Sequence, residues 1–146
     1  MGRWALATMH LLGMAVGLGA VWTRGRALRS GAGGASFARA LVADNWWGVA
    51  ALLSIGTGLP RAFGGFEKGA DYYTHSGAFH AKMGLVALVV LLELWPMVVL
   101  VRARMGKATS VSPLQARAFS RISALQAVLL VLIVGLATAM ARGMWF

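Results

Sequence analysis

The middle of the sequence contains an apolar stretch, residues 81–101, that is long enough to cross the hydrocarbon core of a lipid bilayer. Three further apolar segments lie at about 4–22, 46–63 and 113–141. Hydrophobic residues make up 59% of the chain and charged residues only 12%, which is typical of integral membrane proteins and not of soluble domains. We therefore predict a single all-α domain over residues 1–146, an integral membrane four-helix bundle.

The net charge of +10 is concentrated in two of the three connecting segments. Segment 23–45 carries four arginines against one acid, and segment 102–121 carries five basic residues and no acid. Segment 64–80 is balanced by comparison, with Glu67 and Asp71 beside Lys68. Because cytoplasmic loops of membrane proteins are enriched in Lys and Arg, we predict an N-out/C-out, multi-pass topology. The same rule explains the positive charge without a nucleic-acid partner.

Local patterns mark several helix ends. Ser112 followed by Gln115 is a capping-box pattern, which predicts a helix N-terminus at this point. The glycine-rich segment 30–34 is typical of a turn. Asp44 or Asn45 is expected to cap the second helix.

Glu93 is an acid in the middle of the third apolar segment. A carboxylate at membrane depth requires a polar partner or becomes neutral. The residue is therefore either a candidate proton relay or one half of a structural hydrogen bond between helices. Its candidate partners are Ser54, Thr57, Gln126 and Arg102.

Four basic or imidazole side chains are predicted to lie in the outer half of the bundle: His10, Arg61, His80 and Lys82. A neutral imidazole can ligate a metal or haem iron, and Lys or Arg can pair with an anionic group. The simpler alternative for His10 is a hydrogen bond to a neighbouring helix. For the other three, the alternative is that the side chain extends to the lipid headgroups.

Several chemistries are excluded or disfavoured by the sequence. The chain has no cysteine, which excludes disulfides, thiolate metal sites and thiol catalysis. It also lacks the phosphate-binding loop, the H-E-x-x-H zinc motif and the G-x-S-x-G nucleophile motif. A single acid at membrane depth disfavours a di-metal carboxylate centre.

The chain resembles a family of short bacterial four-helix membrane proteins of unknown function. The residues that carry this resemblance are His10-Leu11-Leu12, Gly17-Leu18-Gly19-Ala20-Val21-Trp22, Ala43-Asp44-Asn45-Trp46-Trp47-Gly48, Thr57-Gly58-Leu59 with Arg61, Gly64-Gly65-Phe66-Glu67-Lys68-Gly69, Ala81-Lys82-Met83-Gly84 and Glu93-Leu94-Trp95-Pro96-Met97. This family label implies a bacterial inner membrane location and carries no activity.

A shorter pattern is similar to HemJ-type protoporphyrinogen oxidases and to CopD-like copper-resistance membrane proteins. It comprises His10 in the first helix, an Arg-bearing loop, and His80-Ala81-Lys82 at the start of the third helix. In the HemJ family the corresponding His and Lys are implicated in haem binding and activity. The resemblance therefore implies that His10 and Lys82 bind haem, whereas Trp46-Trp47 and Glu93 have no counterpart in it.

Three functional hypotheses follow. The first is a haem- or porphyrin-binding protein with an oxidoreductase-like role, which leaves open whether it is an enzyme. In it His10 ligates the iron of haem b, Lys82 or His80 is a second ligand or a propionate partner, Arg61 pairs with a propionate, and Glu93 relays protons.

The second hypothesis is a non-catalytic accessory subunit of a larger membrane complex. In that case Gly13 and Gly17, which form a G-x-x-x-G motif, would support assembly, although packing within the chain is the preferred interpretation of the motif. The third is a small proton-coupled or metal-ion transporter that uses Glu93 and His10. Membrane lipid is the expected partner in all three, and a homo-oligomer is compatible with each.

Overall fold

A computed structural model describes residues 2–63 and 77–142, which form four α-helices. They are α1, Gly2–Ser30; α2, Gly34–Phe63; α3, Gly77–Met105; and α4, Pro113–Ala141. Each helix has 29 or 30 residues, so each is about 44 Å long at a rise of 1.5 Å per residue. Because a hydrocarbon core is only about 30 Å thick, helices of this length extend beyond it. The predicted all-α fold is confirmed for the described residues.

Three of the four described helices, α1, α3 and α4, are long and apolar enough to cross a membrane. Large apolar side chains such as Leu52, Leu91 and Val128 point away from the neighbouring helices and are exposed. In water such a surface would cause aggregation, whereas lipid tails solvate it. The protein is therefore a membrane protein whose helices contact lipid.

The helices extend beyond the apolar segments that predicted them. Segment 23–45 was predicted as a connection between helices, yet it is helical except for residues 31–33. Asp44 and Asn45 lie inside α2, so their prediction as N-caps was wrong. The physical reason is that Ala, Leu and Arg favour helix strongly, and a helix does not stop where its sequence becomes polar.

The start of α4 agrees with the sequence pattern. Ser112 is the N-cap, its side chain accepts a hydrogen bond from the Gln115 backbone, and the Gln115 side chain accepts one from the Ser112 backbone. The predicted capping box is therefore confirmed. The balanced segment 64–80 lies largely outside the described residues, which resume at Gly77.

The α1–α2 and α3–α4 connections meet at one end of the bundle. Gly34 donates its backbone N–H to the Thr109 carbonyl at 3.2 Å, and Val111 donates to the Ala32 carbonyl at 2.9 Å. Gly34 has φ +56°, a left-handed conformation that glycine adopts without strain. We call this the basic end, because segments 23–45 and 102–121 converge here.

Helix α1 is central, packing closely on α2 and α4, while α3 packs on α4. A Cβ atom at Gly13 would lie 2.8 Å from the Ser54 hydroxyl of α2, and one at Gly25 would lie 3.0 Å from the Ser123 Cβ of α4. Gly17 also faces α2. Packing within the chain therefore accounts for the G-x-x-x-G motif.

The buried apolar side chains form two main clusters at different heights. The cluster nearer the basic end contains Ala27, Leu28, Phe37, Ala40, Leu100, Ala116 and Phe119. The other contains Ala20, Val21, Trp47, Val89, Ala127, Leu129, Leu130 and Ile133. Each of the four helices has at least one polar residue at the level between these two apolar clusters.

Candidate functional site: a buried polar layer and a histidine near the opposite end

Arg24 of α1 is fully buried and lies at the centre of the polar residues between the two clusters. One terminal nitrogen, Nη1, donates to Asp44 Oδ1 and Glu93 Oε1, each at 2.7 Å. The other, Nη2, donates to Glu93 Oε2 at 2.7 Å and to Gln126 Oε1 at 2.8 Å. Nε donates to the Ser123 hydroxyl at 3.0 Å. All five N–H donors of the guanidinium are thus used, on acceptors from three other helices.

A second arginine completes the arrangement. Arg104 of α3 donates through Nη2 to Asp44 Oδ2 at 2.7 Å and to the Leu41 carbonyl at 2.9 Å. Gln126 donates to Glu93 Oε2 at 2.9 Å and to the Val89 carbonyl at 3.2 Å. We call six residues the polar layer: Arg24, Asp44, Glu93, Arg104, Ser123 and Gln126.

The polar layer is electrically balanced, with two arginines against two carboxylates. A buried charge costs several kcal/mol of desolvation unless it is paired and hydrogen-bonded. Among the described residues, no buried side-chain nitrogen or oxygen lacks a hydrogen-bond partner. The layer therefore has the properties of a structural network that aligns four helices.

The partners of Glu93 were predicted only in part. Gln126 is a partner, as predicted, but the principal one is Arg24, which binds both carboxylate oxygens. Ser54 and Thr57 instead contact His10. Arg24 was missed because the apolar segment of α1 was taken to end before it. The proton-relay role of Glu93 stays a prediction.

His10 lies toward the other end of α1 and contacts α2. Its Nδ1 is 3.1 Å from the Ser54 carbonyl oxygen and 3.1 Å from the Thr57 hydroxyl, which itself donates to the Leu53 carbonyl at 2.6 Å. A carbonyl oxygen only accepts hydrogen bonds, so Nδ1 carries the proton. In the neutral imidazole Nε2 is then the nitrogen with a lone pair.

Gly58 makes room for this ring. A Cβ atom at position 58 would lie 3.1 Å from His10 Cε1. Thr57 and Arg61 are four positions apart on α2, so Arg61 lies on the same face one turn beyond the Thr57–His10 contact. The structure thus associates His10 with the Arg61 end of α2.

His80 and Lys82 lie in the first turns of α3. The Lys82 ammonium is 5.3 Å from the centre of the Phe79 ring, and the His80 ring meets the same ring edge-on at 6.2 Å. Phe79 packs with Ala78 and Met140, which joins the start of α3 to the end of α4. No group of three His, Cys, Asp or Glu residues suited to a metal ion occurs among residues 2–63 and 77–142.

The contact of His10 with α2 and the polar layer are separate sites. His10 and Arg24 are 14 positions apart on α1, about 21 Å along the helix axis. The transport hypothesis that uses His10 and Glu93 stays a prediction. One feature of the sequence indicates that Arg24 is buried between helices. The residues three and four positions before and after it are apolar, and the structure buries all of them.

Comparison with curated proteins and with solved structures gives no match. A family model does match, and it spans residues 2–144, nearly the whole chain. Its description is a predicted membrane protein, which agrees with the apolar lipid-facing helices described above. The chain therefore belongs to the DUF2214 family of membrane proteins.

Proposed function

We propose that this membrane protein binds haem or a related porphyrin through His10 and has an oxidoreductase-like role. The observation that carries the proposal is the fixed position of the imidazole. Its Nδ1 is bound by the Ser54 carbonyl and the Thr57 hydroxyl, which makes Nε2 the nitrogen that would ligate iron. Histidines that ligate metals are commonly held in this way, with the other ring nitrogen donating to a carbonyl.

Other residues have defined roles in this proposal. Arg61 would form an ion pair with a propionate, and Lys82 or His80 would be the second ligand or a propionate partner. Glu93 would relay protons. A bound haem would supply one-electron redox chemistry. We further propose that the His10 end faces outward across a bacterial inner membrane, as the positive-inside rule predicts.

The direct test is the absorption spectrum of the full chain purified in detergent after expression with added haem. We expect a Soret band, and we expect His10→Ala to abolish it. Absence of the band in the wild-type protein would overturn the proposal. A full band in the His10→Ala variant would overturn the role of His10.

A pair of variants tests the contacts behind the histidine. Thr57→Val removes the hydroxyl acceptor with little change of shape, and we expect haem affinity to fall about tenfold. Ser54→Ala is the control, because Ser54 contacts His10 through its backbone carbonyl, which this substitution keeps. Equal haem affinity in the two variants would contradict the proposed geometry.

A second candidate function is that of a non-catalytic accessory subunit. The observation in its favour is the polar layer, because contacts with Arg24 and Gln126 give Glu93 a structural role in place of a catalytic one. Blue native electrophoresis of gently solubilised membranes tests it. Migration as part of a larger complex, together with no Soret band, would favour this function over haem binding.

A further inference from the structure

A shallow groove of about 480 Å³ runs between α1 and α2 on the outside of the bundle. Thr23 and Arg39 lie at the end of the groove nearer the basic end, and Val16 and Trp46 lie at the other. Between them, Gly19 leaves open space, because a Cβ atom there would meet nothing within 4 Å. The groove is therefore apolar along most of its length and cationic at one end.

The charge of Arg39 has no carboxylate partner in the polar layer. Asp44 is bound by Arg24 and Arg104, and Glu93 by Arg24. The exposed Arg39 guanidinium donates only a 3.3 Å hydrogen bond to the Ser36 hydroxyl among its described contacts. Exposed Arg26 follows Thr23 by three positions, which places a second guanidinium on the same face of α1.

We propose that this groove binds an anionic phospholipid of the leaflet at the basic end. The headgroup phosphate would pair with Arg39, and one acyl chain would lie along the groove toward Val16 and Trp46. The seven positions from Val16 to Thr23 span about 11 Å along α1. This length fits within the thickness of one leaflet, about 15 Å of hydrocarbon. The proposal is independent of haem binding.

Charge argues against a second copy of the chain as the occupant. In a two-fold dimer about an axis along the membrane normal, the same groove of both copies would meet at one depth. Two Arg39 side chains would then approach each other, and like charges placed opposite one another are unfavourable. An anionic headgroup instead neutralises the guanidinium.

The test measures binding of three probes to the full chain in detergent, through the thermal unfolding midpoint as each probe is titrated. They are phosphatidylglycerol, phosphatidylcholine and glycerol phosphate, which has a headgroup without acyl chains. We expect phosphatidylglycerol to bind most tightly and glycerol phosphate to have no effect. Equal binding of glycerol phosphate and phosphatidylglycerol would show a phosphate site and overturn the lipid proposal.

Matched variants locate the site. Arg39→Gln should weaken phosphatidylglycerol binding about fivefold, since one basic residue near a membrane surface contributes about 1 kcal/mol. Arg117, an exposed residue of α4 at the same end, is the control. Arg117→Gln removes the same charge, and we expect it to leave phosphatidylglycerol binding unchanged. Equal weakening by both variants would show diffuse charge attraction and overturn the proposal.

Gly19→Leu tests the apolar part of the groove. The leucine would fill the groove, so we expect both phospholipids to bind more weakly. A change of oligomeric state on size exclusion with Gly19→Leu, without loss of lipid binding, would show that a second copy occupies the groove.

Discussion

The central residue is Arg24, which uses every donor of its side chain inside the bundle. Its bidentate contact with Glu93 has the planar geometry in which a guanidinium binds a carboxylate most strongly. Lysine would keep the charge and lose this geometry. Glu93 therefore depends on an arginine at this position, whereas Asp44 also pairs with Arg104.

Arg24→Met leaves Glu93 without its main partner, and removal of one half of a buried pair costs about 3–5 kcal/mol. We expect a large loss of stability in detergent unfolding experiments. The double variant Arg24→Met/Glu93→Met removes both charges and keeps the Asp44–Arg104 pair. It should recover most of the loss, because apolar replacement of a whole buried pair is often neutral.

A double variant as unstable as Arg24→Met alone would contradict this account of the polar layer.

Within the polar layer, the sequence indicated Glu93 and Gln126 but not Arg24. A search limited to apolar segments cannot find a partner whose helix continues into a polar segment. For His10, the sequence predicted a hydrogen bond to a neighbouring helix as the simpler alternative, and such a bond is present.

At the scale of elements, the four apolar segments predicted four helices, because the surfaces of a helix that face lipid must be apolar. The ends were predicted less well for α1 and α2, since arginine and alanine extend a helix without adding hydropathy. The N-terminus of α4 was predicted because a capping box is a local signal that needs no tertiary contact. Close helix packing through Gly25 could not be predicted, since it depends on where α4 lies.

Gly25→Ala and Gly19→Ala form a matched pair on α1. The new Cβ at position 25 would lie 3.0 Å from the Ser123 Cβ and 3.4 Å from the Ser120 carbonyl, so α1 and α4 must separate slightly. We expect a loss of about 1–3 kcal/mol, as for overpacking of a core. At position 19 the space is open, so alanine should be neutral or stabilise the helix by about 0.5–1 kcal/mol.

Unfolding midpoints of the two variants in the same detergent check this prediction. A larger loss of stability from Gly19→Ala than from Gly25→Ala would mean that α1 packs through the opposite face.

At the scale of the whole molecule, the basic end defines the expected orientation. The chain contains no cysteine, so a single introduced cysteine reports only its own position. We expect Thr109→Cys, in the α3–α4 connection, to be protected from an impermeant maleimide in intact cells and labelled after lysis. Asp71→Cys should be labelled in intact cells, and the reverse pattern would contradict the N-out/C-out topology.

The polar layer also bears on how such a chain enters a membrane. The α1–α2 hairpin contributes one cation and one anion, Arg24 and Asp44, which pair with each other at 2.7 Å. The α3–α4 hairpin likewise contributes Glu93 and Arg104, and each of these pairs with a residue of the other hairpin. Each half thus contributes one cation and one anion to the polar layer, and these charges become fully paired only when the two halves meet. The charges therefore select one docking height, because sliding either hairpin by a turn, about 5.4 Å, would separate every cross-pair.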